Sequence, residues 1–339
     1  MSVTSTLEST ARALLATGKG VLAADESFPT IGKRFKALDI PLTEESRRSY
    51  REMLFTTRGL SDFISGVILF DETIRQRGTD GVPFAEFLAS QGILPGIKVD
   101  KGTIALPNFA GEKFTQGIDG LRERLSEYRE LGARFTKWRA VIAICEGLPT
   151  PACLATNAQA LALFAALSQE AGLIPIVEPE VLMDGNHTIA RCEEVTRATI
   201  ESLFDALFQQ RVALEGLLLK TGMVLSGKDC PEQVGLGEVA EATIRCLRCA
   251  VPAAVPGIVF LSGGQSDVAA TERLNAICAV GDLPWTLSFS FGRALQDAAL
   301  KTWRGSGANT ADAQAALHHR AKCNGLAVQG KHSRKMENP

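Results

Sequence analysis

Lys220 closes an apolar run of strand length, Leu217-Leu218-Leu219, and Gly222 follows two residues later. A lysine at the mouth of a buried strand is costly, because desolvation disfavours its charged form. A single such lysine ordinarily snorkels to solvent along its own methylenes. Here, however, several other apolar runs end the same way. The run 134–142 carries Lys137 and Arg139 two residues apart, and so on one face; 173–180 carries Glu178 and Glu180 in the same relation. Crowded lysines depress one another's pKa, and a lysine that is neutral near pH 7 can attack a ketone to form a Schiff base. Lys220 is the best nucleophile candidate, with Lys137 as the charge that lowers its pKa. Carbinolamine formation and dehydration need a proton shuttle, which Glu178 can supply from the adjacent strand, and Asp25 is placed to act as a second base on a hydroxyl.

The elements that must position these groups are eight strand-like runs. They are 20–24, ending in Asp25-Glu26-Ser27; 63–70; 93–100, with Lys98 and Asp100 alternating; 134–142; 173–180; the run 217–219 ending in Lys220, within the stretch 214–224; 257–261, running into Ser262-Gly263-Gly264; and 285–290, running into Phe291-Gly292-Arg293. Segments of helical periodicity lie between them, most clearly 120–131, 157–171, 187–210 and 231–249, with Asn157 and Pro231 at helix starts. Eight strand–helix repeats without a composition break predict one domain, an α/β (β/α)8 TIM barrel over 1–330, followed by a short polar tail over 331–339 that frays. The alternative is an open Rossmann-like sheet.

In such a barrel the chemistry sits at the C-terminal ends of the strands. Asp25, Lys98, Lys137, Arg139, Glu178, Glu180, Lys220, Ser262 and Arg293 all collect there. Each alone can be read as part of a structural ion pair. Together they are poorly explained by stability, because buried ion pairs rarely outdo apolar packing. Ser262-Gly263-Gly264 and Gly292-Arg293 follow strands seven and eight, where barrels commonly build a phosphate site. The glycines let backbone N–H groups approach an anion, and arginine adds a bidentate charge. Ser27, Thr30, Arg34 and Lys98 lie near the opposite strands and are candidates for a second phosphate. A bisphosphate ketose cleaved through an imine fits this layout.

The composition narrows the choice. The 339 residues are 45% apolar and 22% charged, and the net charge of −2 leaves no electrostatic footprint for nucleic acid or an acidic membrane. No apolar run is expected to reach the roughly 18 residues of a membrane helix, and the N-terminus lacks a signal-peptide pattern. A cytoplasmic location is therefore expected, with the eight cysteines reduced. Cys246-Leu247-Arg248-Cys249 has no second pair at zinc-site spacing. A glycine-rich stretch, Gly235-Leu236-Gly237, follows no strand and is set aside as a dinucleotide fingerprint. The four histidines, His187, His318, His319 and His332, sit at no strand end, so neither a metal nor a cofactor is expected.

From about Leu14 to Gly330 the chain resembles the class I, Schiff-base-forming fructose-1,6-bisphosphate aldolases. The matching stretches include Leu22-Ala23-Ala24-Asp25-Glu26-Ser27, Gly96-Ile97-Lys98-Val99-Asp100-Lys101-Gly102, Lys137-Trp138-Arg139, Pro175-Ile176-Val177-Glu178-Pro179-Glu180, Leu261-Ser262-Gly263-Gly264-Gln265-Ser266 and Gly292-Arg293-Ala294-Leu295-Gln296. The resemblance implies reversible cleavage of fructose 1,6-bisphosphate to two triose phosphates. It implies Lys220 as the Schiff-base lysine, Glu178 as proton acceptor and donor, Asp25 as the base at the C4 hydroxyl, and Lys137 as electrostatic support. Ser262, Gly263, Gly264, Ser290, Gly292 and Arg293 would hold the C1 phosphate, and Ser27, Thr30, Arg34 and Lys98 the C6 side. A homotetramer is implied as well.

Three departures stand out. Familiar members read Pro-Asn-Met-Val after the lysine, whereas this chain reads Thr221-Gly222-Met223-Val224; where many carry tyrosine, this chain has Phe291. Animal members end in a tail with a terminal tyrosine that assists proton exchange. Here the end is Lys335-Met336-Glu337-Asn338-Pro339, and the only tyrosines are Tyr50 and Tyr128. Slower or differently routed protonation of the enamine is expected in consequence. Two rivals are a Schiff-base barrel acting on a monophosphate or keto acid and a non-catalytic binding protein on the same scaffold.

Overall fold

The eight apolar runs are the eight strands of a closed parallel barrel. The computed structural model describes residues 3–337, with side chains from residue 6 onward. In chain order the strands are β1 (Gly20–Ala23), β2 (Ile64–Leu69), β3 (Leu94–Lys98), β4 (Thr103–Ala105), β5 (Lys113–Thr115), β6 (Phe135–Ile142), β7 (Ile174–Val181), β8 (Leu218–Thr221), β9 (Gly257–Phe260) and β10 (Thr286–Phe291). The barrel closes in the order β1-β10-β9-β8-β7-β6-β3-β2, which excludes the open sheet. The pair β4–β5 is a separate antiparallel hairpin inserted after β3. Its strands are three residues each, too short for an alternating pattern to announce them.

Side-chain alternation sorts each strand into two faces. Val21 and Ala23, Ile68, Phe135, Ile174 and Ile176, Leu218 and Val259 form one buried cluster, closed by Leu7, Ala11, Leu14 and Leu15 of the first helix, Val3–Leu14, and the residue after it. Leu22, Val67, Ile97, Trp138, Val177, Leu219, Ile258 and Phe260 belong to a second cluster shared with the outer helices. The inward ladder is apolar at its start and charged at its end. Val21 and Ala23 lead to Asp25, Phe135 to Lys137, Ile176 to Glu178, and Leu218 to Lys220. The Phe135 ring fills the lower barrel by lying across Gly96, where a Cβ would come within 2.3 Å of it. Apolar filling below leaves the charged groups nowhere to go but the open C-terminal mouth.

Two helices begin elsewhere than the sequence suggests. Asn157 is not a helix start but lies inside the helix Pro151–Glu170; Thr150 caps it by accepting from the Cys153 N–H. The buried Asn157 amide instead donates to the Lys113 and Cys153 carbonyls, at 2.9 and 3.0 Å. Pro231 lies in a loop, and its helix runs Leu236–Ala250 with Gly235 as cap. The Cys246/Cys249 pair falls within that helix.

Pro151–Glu170 is also long and apolar enough, by length and composition, to cross a membrane, contrary to the expectation of no such run. Its apolarity has a local cause: it packs on β6, β7 and the helix Ile189–Gln209, with Phe164 stacked on Trp138. The described part of the tail folds back on the chain. Residues Arg334–Glu337 form a 3-10 turn, and Glu337 pairs with the buried Arg320 and, at 2.8 Å, with His332. Asn338 and Pro339 lie outside the described residues.

Candidate active site

The barrel mouth holds a cavity of about 970 Å³, and every site residue singled out from the sequence lines it. At its floor four of them form one chain of charges. Lys220 Nζ lies 3.1 Å from Glu178 Oε1, the other Glu178 oxygen lies 3.3 Å from Lys137 Nζ, and Lys137 Nζ lies 2.6 Å from Asp25 Oδ2. All four side chains are almost wholly shielded from solvent. Burial alone would push the Asp25 carboxyl up, yet the charges of Lys137 and Lys220 outweigh it and hold the group down at about 2. Burial likewise works to raise Glu178, but Lys220, Lys137 and Arg139 keep it below the usual carboxylate range. For Lys137, burial would favour the neutral amine, and Asp25, Glu178 and Asp100 reverse this and raise its pKa. Lys137 is therefore a permanent cation at neutral pH, shared between two carboxylates.

A second tier lies above this chain. Arg139 pairs with Glu180, and its backbone N–H donates to Asp100 at 3.3 Å. The β4–β5 hairpin steadies this edge, since the Thr115 hydroxyl donates to the Arg139 carbonyl at 2.7 Å. Lys98, at the end of β3, pairs with Asp100 at 2.7 Å. After β1, Ser27 and Thr30 share a hydroxyl contact of 3.2 Å, and Arg34 pairs with Glu26 at 2.8 Å.

The phosphate candidates after β9 and β10 are built mainly from backbone. Gly263 and Gly264 have φ of +57° and +92°, a left-handed turn that L side chains rarely adopt. Arg293 opens the helix Arg293–Trp303 with Gly292 before it, so helix N–H groups and a guanidinium stand at one point. Ser290 Oγ is buried and without a hydrogen-bond partner among the described residues, so it is free to bond something entering the cavity.

One placement differs from the sequence reading. Ser27, Thr30 and Arg34 are not opposite the Ser262–Arg293 group, because β1 is hydrogen-bonded to β10. A Cβ on Gly292 would lie 3.4 Å from the Ala23 carbonyl, so the two arcs of the rim abut. Only Lys98, on β3, stands across the barrel from the β9 loop. Closure of the sheet brings the first strand against the last, and a linear sequence does not display this.

Several supporting residues escaped the sequence reading. Glu26, deeply buried, takes Arg51 on its second oxygen at 2.5 Å as well as Arg34 on its first, which fixes the turn that follows Asp25. The Tyr50 hydroxyl donates to Gln296, and Gln296 donates at 2.6 Å to the Ala23 carbonyl two residues before Asp25. Lys228 and Asp184 also line the mouth, paired at 2.7 Å. None of these carries a local signal, since their partners lie from 25 residues away, for Glu26 and Arg51, to 273, for Gln296 and Ala23. Among the described residues, possible ligand atoms of His319, Cys323 and Glu337 lie within 4.8 Å of one another, but none of the three lines the mouth cavity.

Comparison with known proteins places the whole chain in one family. The family model described as glycolytic, fructose-bisphosphate aldolase class-I, matches residues 6–339. A probable fructose-bisphosphate aldolase class 1 from Xanthomonas campestris pv. campestris is 59% identical over 96% of this chain and 98% of that protein. A fructose-bisphosphate aldolase from Dictyostelium discoideum is 49% identical over 96% of this chain and 92% of its own. The fold superposes on the fructose-bisphosphate aldolase of Plasmodium falciparum, solved with TRAP and a small-molecule inhibitor, with a TM-score of 0.96. That match is 48% identical and covers 98% of this chain and 96% of the other. The family model and the relatives, each matching nearly the whole chain, show that the chain belongs to the class-I fructose-bisphosphate aldolases.

Proposed function

We propose that this chain cleaves fructose 1,6-bisphosphate reversibly to dihydroxyacetone phosphate and glyceraldehyde 3-phosphate through a Schiff base on Lys220. The observation that carries the roles is the unbroken Lys220–Glu178–Lys137–Asp25 contact chain at the cavity floor. Glu178 is within hydrogen-bond reach of the Lys220 amine and so takes and returns the protons of carbinolamine formation and dehydration. The resulting iminium at C2 draws the C3–C4 bonding electrons toward itself. Asp25 accepts the C4 hydroxyl proton as that bond breaks, releasing the aldehyde product and leaving an enamine on Lys220. A carboxylate held near 2 is a weak base, so the Lys137 ammonium beside it supports the transfer by stabilising the developing alkoxide. Protonation of the enamine and hydrolysis of the imine then release dihydroxyacetone phosphate.

In this reading Ser262, Gly263, Gly264, Ser290, Gly292 and Arg293 grip the C1 phosphate. Ser27, Thr30, Arg34 and Lys98 serve the C6 side, and Arg139 with Glu180 lines the passage between. No residue here is asked to hold a metal or cofactor. Assembly as a homotetramer and a cytoplasmic location are proposed on the family resemblance; mass in solution and cell fractionation test them.

Borohydride reduction with dihydroxyacetone phosphate, followed by intact-mass and peptide analysis and repeated after EDTA, tests the mechanism. A single adduct on Lys220, with EDTA harmless, is expected. No adduct, or activity lost to EDTA, would overturn it.

A further inference from the structure

The β8 loop reaches the rim by an unusually close approach to the β7 loop. A Cβ on Gly227 would fall 2.2 Å from the Gly185 carbonyl oxygen, so only glycine permits the contact. Three backbone hydrogen bonds lace the two loops together. The N–H groups of Gly227, Lys228 and Asp229 donate to the His187, Met183 and Gly185 carbonyls at 2.8, 2.8 and 2.9 Å. Lys228 is thus held by a fixed backbone.

Its side chain is aimed at the backbone turn after β9. A Cβ built on Gly264 would meet Arg293 Nη2 at 3.0 Å and Lys228 Nζ at 3.4 Å, so the two cations converge on one point beside that turn. Both line the same cavity as Ser262 and Gly263. Lys228 Nζ is meanwhile paired with Asp184 at 2.7 Å, and these side chains are 42% and 66% exposed. Exposed pairs of this kind contribute little, so Asp184 can release the ammonium at small cost. A phosphate dianion on the glycine turn offers more charge and charge-assisted hydrogen bonds.

We infer that Lys228 is a second phosphate-gripping cation, which leaves Asp184 to join Arg293 on the phosphate of the ketone half of the substrate. This rests on the aldolase reading above and adds to it a residue that sets affinity at the C1 phosphate. Asp184 is the resting partner that keeps the ammonium at the rim before substrate arrives. The amine stands at the Gly264 turn and outside the Lys220–Glu178–Lys137–Asp25 contact chain, so its contribution belongs to binding.

The test uses the full chain and two variants, Lys228→Gln and Asp184→Asn, with dihydroxyacetone phosphate as probe. Borohydride trapping is titrated against its concentration, and the melting temperature confirms folding. For Lys228→Gln, half-saturation should rise about tenfold while the maximal trapping rate changes little. Added salt should weaken binding to the wild type more steeply than to this variant. Asp184→Asn should leave half-saturation unchanged or lower it. If wild type forms no adduct, the aldolase reading fails instead. If wild type forms it and Lys228→Gln saturates at the same concentration, Lys228 has no part in phosphate binding. If Asp184→Asn weakens binding as much as Lys228→Gln, the ion pair acts only through loop structure, and the inference is overturned.

Discussion

Lys220 Nζ and Glu178 Oε1 lie 3.1 Å apart, on neighbouring strands whose inward faces are apolar below them. The carboxylate faces two lysines, and of the two it is Lys137 that also touches Asp25, at 2.6 Å. This asymmetry assigns Lys137 to electrostatics and leaves Lys220 as the amine for chemistry.

Replacing Glu178 by Gln keeps the shape and removes the proton acceptor. Turnover should fall by about 10²- to 10⁴-fold, with the slow step in imine formation. Stopped-flow trapping of the imine measures this; a variant that forms the adduct at the wild-type rate would remove Glu178 from the shuttle.

Lys137→Met strips the cation from between two buried carboxylates. Breaking a buried pair by removing one partner costs about 3–5 kcal/mol. The double variant Lys137→Met with Asp25→Asn should recover part of that loss, because it removes one of the stranded charges. Urea unfolding of the two singles and the double checks the coupling, and strict additivity would contradict it.

Acid should weaken this site in a defined window. The Asp25 carboxyl drops from its ordinary 3.8 to about 2, since Lys137 and Lys220 outweigh the opposing effect of burial. A group with a depressed folded pKa contributes stability that is complete above the unfolded value and is lost as pH falls through the folded one. On the order of 2 kcal/mol should therefore disappear between about pH 4 and pH 2. Unfolding free energies of wild type and Asp25→Asn over that range should converge as the pH falls.

The tail contact is also testable. Glu337 is the shared partner of Arg320 and His332, and Glu337→Gln removes the charge that anchors it. Each 1.4 kcal/mol or so of lost docking makes the open form about ten times more populated. Trypsin cleavage after Arg334 and Lys335 should accelerate by at least that factor, read by mass spectrometry; an unchanged rate would show that the tail is held by other contacts.

The eight strands, their parallel arrangement and the residues that turn the inward ladder from apolar to charged are legible in the chain's local pattern. This is because strand periodicity is two and the barrel interior is fully buried below the mouth: Leu218 and Lys220, or Ile176 and Glu178, read as one face. The same pattern points to the glycine turns at Gly263-Gly264 and Gly292, whose composition reflects backbone geometry rather than distant contacts. Which groups touch depends on how the barrel closes. Ring closure set β1 beside β10, so the Ser27 and Arg293 regions abut instead of facing each other. The Glu26–Arg51 pair, the Tyr50–Gln296–Ala23 relay and the convergence of Lys228 with Arg293 join residues from separate parts of the chain. The Asn157 and Pro231 helix starts were misplaced for a related reason. The Asn157 side-chain N–H2 donates, inside a helix, to a carbonyl of the hairpin, a partner no local rule supplies. The docking of the tail by Arg320 and His332 likewise depends on where the last long helix lies, which short-range propensity does not encode.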